Sequence, residues 1–259
     1  AAEQESVPCA HGAAPEAGEA ARHPVDSSAG LRRTRRTPPR RYQATVDVGA
    51  GCGLRQGEIF GLAVEELDYE GGWLTVGHQL KRIRGKYVFA LPKGGKVRDV
   101  PLPKAVATAL RNHSAEFEPI TVTLPWRTPD GPPVTKRLFF SGPEGNHVRV
   151  SNFNDHHWKP ALAAAGIIPA REAGERYASA PEHGMHALRH FYASVLLDAG
   201  ENIRALSQYL GHSDPGGFTL RTYTHLMPSS EGGRTRKAVD SLFLAANPQD
   251  HGPETAQAA

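Results

Sequence analysis

The chain has 259 residues, 39% of them hydrophobic, a formal net charge of +3 and two cysteines, Cys9 and Cys52. No apolar run approaches the roughly 18 residues that cross a bilayer, and the opening stretch lacks the basic-then-apolar order of a secretory signal. Two cysteines exclude a disulfide framework and a thiolate metal cluster, so a reducing cytoplasm is the expected compartment.

Residues 1–42 are rich in Ala, Gly, Pro, Glu and Arg and nearly lack large apolar side chains. Such a segment buries too little surface to offset its ordering entropy, and disorder is expected there. Its end is basic, with Arg32, Arg33, Arg35, Arg36, Arg40 and Arg41 in one short stretch. A second basic cluster gathers Lys81, Arg82, Arg84, Lys86, Lys93, Lys96 and Arg98. Either cluster suits phosphate neutralisation, and either is equally an ordinary solvated segment.

From Tyr42 the run YQATVDVGAGCG reads as a helix that stops at glycines. GLRQGEIFGL then starts a second short helix near Arg55, with Glu58 in its first turn, where the helix dipole favours a carboxylate. The runs WLTVGHQL, KYVFALP and KVRDVPLP, separated by glycines, predict a three-stranded antiparallel meander. Pro103 opens a helix to about Phe117, and a proline-rich loop leads to a short LFFS strand. Ser151 is the expected N-cap of FNDHHWKPALAAAG, a helix that Pro160 must kink or split.

The last third reads as helical. HALRHFYASVLLDAG places Leu188, Phe191, Tyr192, Val195 and Leu196 on one stripe and ends at Gly200. ENIRALSQYLGH follows with Ile203, Leu206 and Leu210 on one face and Gly211 as its stop. FTLRTYTHL forms a shorter helix, and an amphipathic RKAVDSLFLA precedes a polar tail from Asn247. The expected fold class is mainly α with a small three-stranded antiparallel sheet (α+β). Its globular domain occupies residues 43–245, between a disordered 1–42 and a tail at 246–259.

The chain contains no GxxxxGK[ST] loop, no GxGxxG after a strand and no GxSxG elbow, which argues against a nucleotide-driven engine and a serine hydrolase. His183, His186 and His190 have a spacing that can ligate a metal, but no carboxylate or cysteine accompanies them and Arg189 would set a cation beside the ion.

Four short motifs occur in a particular order: GLRQGE at 53–58, HALRH at 186–190, LGH at 210–212 and YTHL at 223–226. Singly each is weak. Together they resemble the signature of the tyrosine recombinase, or phage-type integrase, family, over about residues 43–245, the span of that family's catalytic domain. The resemblance implies that Arg55 and Arg189 clamp the non-bridging oxygens of a DNA phosphate. It makes His186 an aid to proton handling or phosphate binding and His212 a donor to the phosphate. Tyr223 becomes the nucleophile, forming a 3′-phosphotyrosyl link and freeing a 5′-hydroxyl. Lys93, just after the second strand, sits where the family usually has the lysine that protonates the leaving oxygen, and Lys96 is its rival. Glu58 matches an acidic position that orients a catalytic side chain, and fits a helix-start carboxylate equally well.

The chemistry accounts for these residue types. A tyrosine hydroxyl with a pKa of about 10 is a poor nucleophile unless the developing charge is stabilised. Guanidiniums supply that stabilisation bidentately and stay protonated throughout. A phosphotyrosine bond conserves the energy of the phosphodiester, so neither cofactor nor metal is expected. The implied partners are double-stranded DNA and further copies of the chain, in a tetrameric synapse. The implied function is integration or excision of a mobile element or prophage. Two departures stand out: residues 1–42 replace the helical core-binding domain of full-length members, and SDPGGFTLRT between His212 and Tyr223 is slightly long and loose. A truncated DNA-binding remnant is therefore the alternative expectation, and a type IB topoisomerase relative a third.

Overall fold

The computed structural model describes residues 28–223 apart from residue 215. Helix α1 (Ser28–Arg36) leads into α2 (Arg40–Cys52) and the short α3 (Gln56–Gly61). Strands β1 (Leu67–Asp68), β2 (Trp73–Val76), β3 (Gln79–Ile83), β4 (Lys86–Ala90) and β5 (Arg98–Pro101) come next. After α4 (Lys104–Glu116) a hairpin forms from β6 (Ile120–Pro125) and β7 (Pro133–Leu138). The rest is helical: α5 (Val150–Phe153), α6 (Lys159–Ala164), α7 (His186–Asp198), α8 (Ile203–Leu210) and α9 (Gly217–Tyr223). The fold is mainly α with small antiparallel sheets, as expected from the sequence. No helix among the described residues is long and apolar enough to cross a membrane.

Helix α2 lies at the centre, packed against α4 and α7, with Val46, Val48 and Cys52 fully buried. Apolar burial is the main stabilising term in such a core, and α2 carries it on several faces. Leu188 and Tyr192 of α7, Ile59 and Phe60 of α3 and Leu206 and Leu210 of α8 extend the same cluster. This packing brings the ends of α3, α7, α8 and α9 towards one another.

Several sequence expectations need correction. Residues 28–41 are not disordered: α1 and the start of α2 form helices. Thr34 is fully buried with its hydroxyl donating to Gly30 O, Leu31 packs on the core, and Arg35 pairs with Asp47 at 2.5 Å. One leucine and one threonine on the inner face suffice because the arginines occupy the outer one.

The meander is also different. WLTVGHQL breaks at Gly77-His78 into two strands, because His78 turns inward to hold Glu66 at 2.8 Å. Consequently β2 pairs with β5 in the three-stranded sheet β1-β2-β5, while β3 and β4 form a separate hairpin. The proline-rich loop contains most of the β6–β7 hairpin, whose terminal partners are Pro125 and Pro133, where missing N–H groups cost no ladder bond. Ser151 is not an N-cap, since α5 starts at Val150 after Arg149. Pro160 is accommodated by a π-helical turn over Asn154–Trp158, which leads into α6 with the proline in its first turn, where an N–H is not required. On α7, Val195 is exposed at 47%, and Ala193 and Leu197 take the inner face instead. RKAVDSLFLA and the tail from Asn247 lie outside the described residues.

Candidate active site

Arg55 stands immediately before α3 with extended backbone, as the helix N-cap residue. Its backbone N–H donates to Glu58 Oε2 at 2.9 Å, and its Nη1 donates to Glu58 Oε1 at 3.1 Å. Glu58 thereby closes the first turn of α3 and orients Arg55, with its side chain fully enclosed. Burial pushes the Glu58 carboxyl up, but the hydrogen bonds and charge of Arg98, together with Arg55, outweigh it and hold the pKa below the usual carboxylate value.

Arg189 lies one turn into α7 and is 1% exposed. Its Nη1 donates to Gly53 O at 2.7 Å, and its Nη2 donates to Leu210 O and lies 3.2 Å from His212 Nε2. Both carbonyls belong to helix ends, those of α2 and α8, whose unpaired acceptors favour a cation. Gly53 makes the first of these possible: it adopts φ 64°, ending α2 in the left-handed region, and a Cβ there would lie 2.4 Å from Tyr192 Cδ1. Burial first, then the neighbouring Arg55 and Arg98, press the Arg189 pKa down to about 9, against Glu58 and Tyr223, which raise it. It remains charged at neutral pH.

His212 follows the left-handed Gly211 that ends α8, and its Nδ1 lies 2.7 Å from the hydroxyl of Thr219, which is fully buried. Burial and then Arg189, Arg55 and Arg98 hold the His212 pKa down to about 4. His186 opens α7 at the more exposed rim, stacked edge-on against His190 with ring centroids 4.8 Å apart. Burial, His190 and the surrounding cations push its pKa to about 4 as well, although solvent screens that push more than at His212. Both imidazoles are neutral near pH 7.

Tyr223 ends the described chain on α9, is 2% exposed and sits 5.4 Å ring-to-ring from His190. Burial raises its pKa, while Arg189 and Arg55 work in the opposite direction. Lys93 and Lys96 are both exposed on the loop between β4 and β5. All six sequence-predicted residues, Arg55, Lys93, His186, Arg189, His212 and Tyr223, line one open cleft of about 480 Å³, and Lys96 lines it too. Residues from five separated segments thus meet around a space bordered by guanidiniums, imidazoles and a phenol. Such a set can hold a tetrahedral oxyanion and attack it.

Two participants escape the sequence motifs. Arg98 is 8% exposed and donates to both oxygens of Glu58, at 3.0 and 2.7 Å. In the sequence it is one more cation of a basic cluster, but it shares parity with Val100 and Leu102, which puts it on the buried face of β5. Thr219, the partner of His212, carries no signal beyond lying one helical turn before Tyr223. Among the described residues, no group of three or more His, Cys, Asp or Glu side chains is arranged to hold a metal.

Comparisons with known proteins place the chain in a family. The model of the "Phage integrase family" matches residues 31–229. A tyrosine recombinase XerC-like protein of Caldanaerobacter subterraneus subsp. tengcongensis is 28% identical, over 79% of this chain and 50% of its own. Tyrosine recombinase XerC of Pseudomonas aeruginosa (strain PAO1) is 33% identical, over 72% of this chain and 48% of its own. The chain thus spans about half the length of the curated relatives it matches. The fold is similar to that of the Tn1549 transposon integrase solved with transposon right-end DNA, with a TM-score of 0.57, 23% identity and coverage of 78% of this chain and 59% of that one. XerA recombinase is a further structural match, at a TM-score of 0.51 and 18% identity, over 86% of this chain and 65% of that one. With the family match extending over most of its length, the chain belongs to the phage integrase family.

Proposed function

We propose that this protein is a tyrosine-type site-specific recombinase, cutting and rejoining double-stranded DNA through a phosphotyrosyl intermediate on Tyr223. The observation that carries the proposal is the convergence of Tyr223 with Arg55, Arg189, His186, His212 and Lys93 in one cleft. Arg55 and Arg189 hold the non-bridging oxygens of the scissile phosphate as charge builds on them. The Tyr223 hydroxyl oxygen attacks phosphorus, and its proton passes to His186, which is neutral near pH 7. The bond from phosphorus to the 5′-oxygen breaks, its electron pair leaves with that oxygen, and Lys93 supplies the proton. A 5′-hydroxyl attacking the phosphotyrosine reverses each step, so rejoining consumes no nucleotide.

Each site cuts one strand, and exchange between two duplexes needs a site on every strand cut. Self-association on DNA as a tetramer is therefore part of the proposal, as is a cytoplasmic location where chromosomal or mobile DNA is reached. A duplex nicked near the scissile phosphate tests the reading, because loss of the short fragment traps the covalent adduct. Wild type is expected to accumulate adduct and Tyr223→Phe none. Salt-sensitive DNA binding without any adduct would instead mark a DNA-binding protein that does not recombine.

A further inference from the structure

Arg98 is a buried cation outside the motif set, at the start of β5, directly after the loop that carries Lys93 and Lys96. Its two terminal nitrogens hold the two oxygens of Glu58, and its Nε donates to Tyr209 O at 2.7 Å. Glu58 also receives Arg55, and Tyr209 lies three residues before His212. On that second side the fit is close: Gly211 adopts φ 61°, and a Cβ there would meet Arg98 Cδ at 2.9 Å. One side chain thus links Glu58, which holds Arg55, to the turn that carries His212.

The charge balance gives this contact a consequence. A buried carboxylate facing a single arginine claims that arginine's charge and its donors. With Arg98 bound to both oxygens, Arg55 gives Glu58 only Nη1 and its backbone N–H. The geometry points to Arg98 as a positioning residue that neutralises Glu58, so that Arg55 stays a net cation facing the cleft, and that fixes the turn bearing His212. Arg98 itself does not line the cleft, and its effect on the reaction runs through Arg55 and His212. This inference deepens the phosphotyrosyl reading and rests on it.

The test compares wild type, Arg98→Gln and the double variant Arg98→Gln/Glu58→Gln, in the full chain, on the nicked duplex. Arg98→Gln is expected to slow adduct formation by about tenfold or more, with a smaller change in equilibrium DNA binding. Removing Glu58's charge as well restores the net charge around Arg55, and the double variant is expected to recover part of the lost rate. A double variant no faster than Arg98→Gln, with all three proteins melting alike, would reduce the contact to a structural one and overturn the proposal. Should Arg98→Gln fail to fold, Arg98→Lys replaces it: slower adduct formation at wild-type DNA affinity supports the assignment, and a wild-type rate overturns it. If wild type itself forms no adduct, the phosphotyrosyl reading fails, and inorganic phosphate decides the role of Arg98. Thermal stabilisation by phosphate that Arg98→Gln loses and the double variant regains supports the role, whereas equal stabilisation of all three overturns it.

Discussion

Nη2 of Arg189 lies 3.2 Å from Nε2 of His212. A guanidinium only donates, so Nε2 accepts, and the imidazole proton sits on Nδ1, facing Thr219 Oγ1 at 2.7 Å. Donation from Nε2 to a phosphate oxygen needs the other tautomer or a second proton. Under the phosphotyrosyl proposal, phosphate binding is expected to compete with His212 for Arg189 and to change the proton state of His212. Gly53 O, Leu210 O and Thr219 Oγ1 hold the two side chains in this arrangement.

Thr219 supports this arrangement, and Thr219→Val tests it at nearly constant volume. Removing the hydroxyl leaves the Nδ1 proton without its partner, at a cost of about 1–3 kcal/mol in denaturant unfolding. Thr219 sits one turn before Tyr223 on α9, so adduct formation is expected to slow as well. Thr219→Ser, which keeps the hydroxyl, is expected to stay close to wild type in both measurements.

The depressed histidines set a pH dependence. His212 titrates near 4 in the fold and near 6.5 when unfolded, so between these values the unfolded chain binds more protons. The contribution is complete above about pH 6.5 and is lost as the pH falls through about 4. His186 acts in the same direction, with more solvent screening. Denaturant midpoints are expected to fall from neutral to mildly acidic pH, and less steeply in His212→Gln.

Gly53→Ala is expected to destabilise the fold by about 2–4 kcal/mol, combining left-handed backbone strain with overpacking against Tyr192. The same substitution moves Gly53 O, an anchor of Arg189. Cleavage should therefore fall even at temperatures where the variant is fully folded, as thermal melts and single-turnover rates will show.

Lys93 and Lys96 both border the cleft, and a sulfur substitution in DNA separates them. A 5′-bridging thiolate leaves without a proton, so it bypasses a general acid. Lys93→Ala is expected to slow cleavage of ordinary DNA by about 10²–10⁴-fold and to approach the wild-type rate on the sulfur-substituted strand. Lys96→Ala is expected to show no such rescue. The reverse pattern would assign the acid to Lys96.

Much of the cleft was legible in the sequence because the proposed phosphoryl transfer restricts the residue types. His186 and Arg189 share a helix face by spacing alone, and glycine stops mark the helix ends where Arg55 and His212 stand. Arg98 was hidden among neighbouring cations, since composition does not distinguish a buried arginine from a solvated one. Only the strand alternation with Val100 bore that information. The strand runs were legible and their pairing was not: the inward turn of His78 towards Glu66 splits one run across two sheets. Helix α1 was missed because its stability lies in contacts with α2, such as Arg35 with Asp47, and not in its own apolar content.

The central claim is that Tyr223 itself becomes bonded to DNA, and peptide mapping of the trapped adduct tests this most directly. Trypsin cuts after Arg221 and Arg234, isolating residues 222–234 with Tyr223 among several hydroxyl-bearing residues. After nuclease digestion, fragmentation by mass spectrometry is expected to place the nucleotide phosphate on Tyr223. A phosphate on any other residue of the adduct, or an adduct that persists in Tyr223→Phe, would contradict the mechanism.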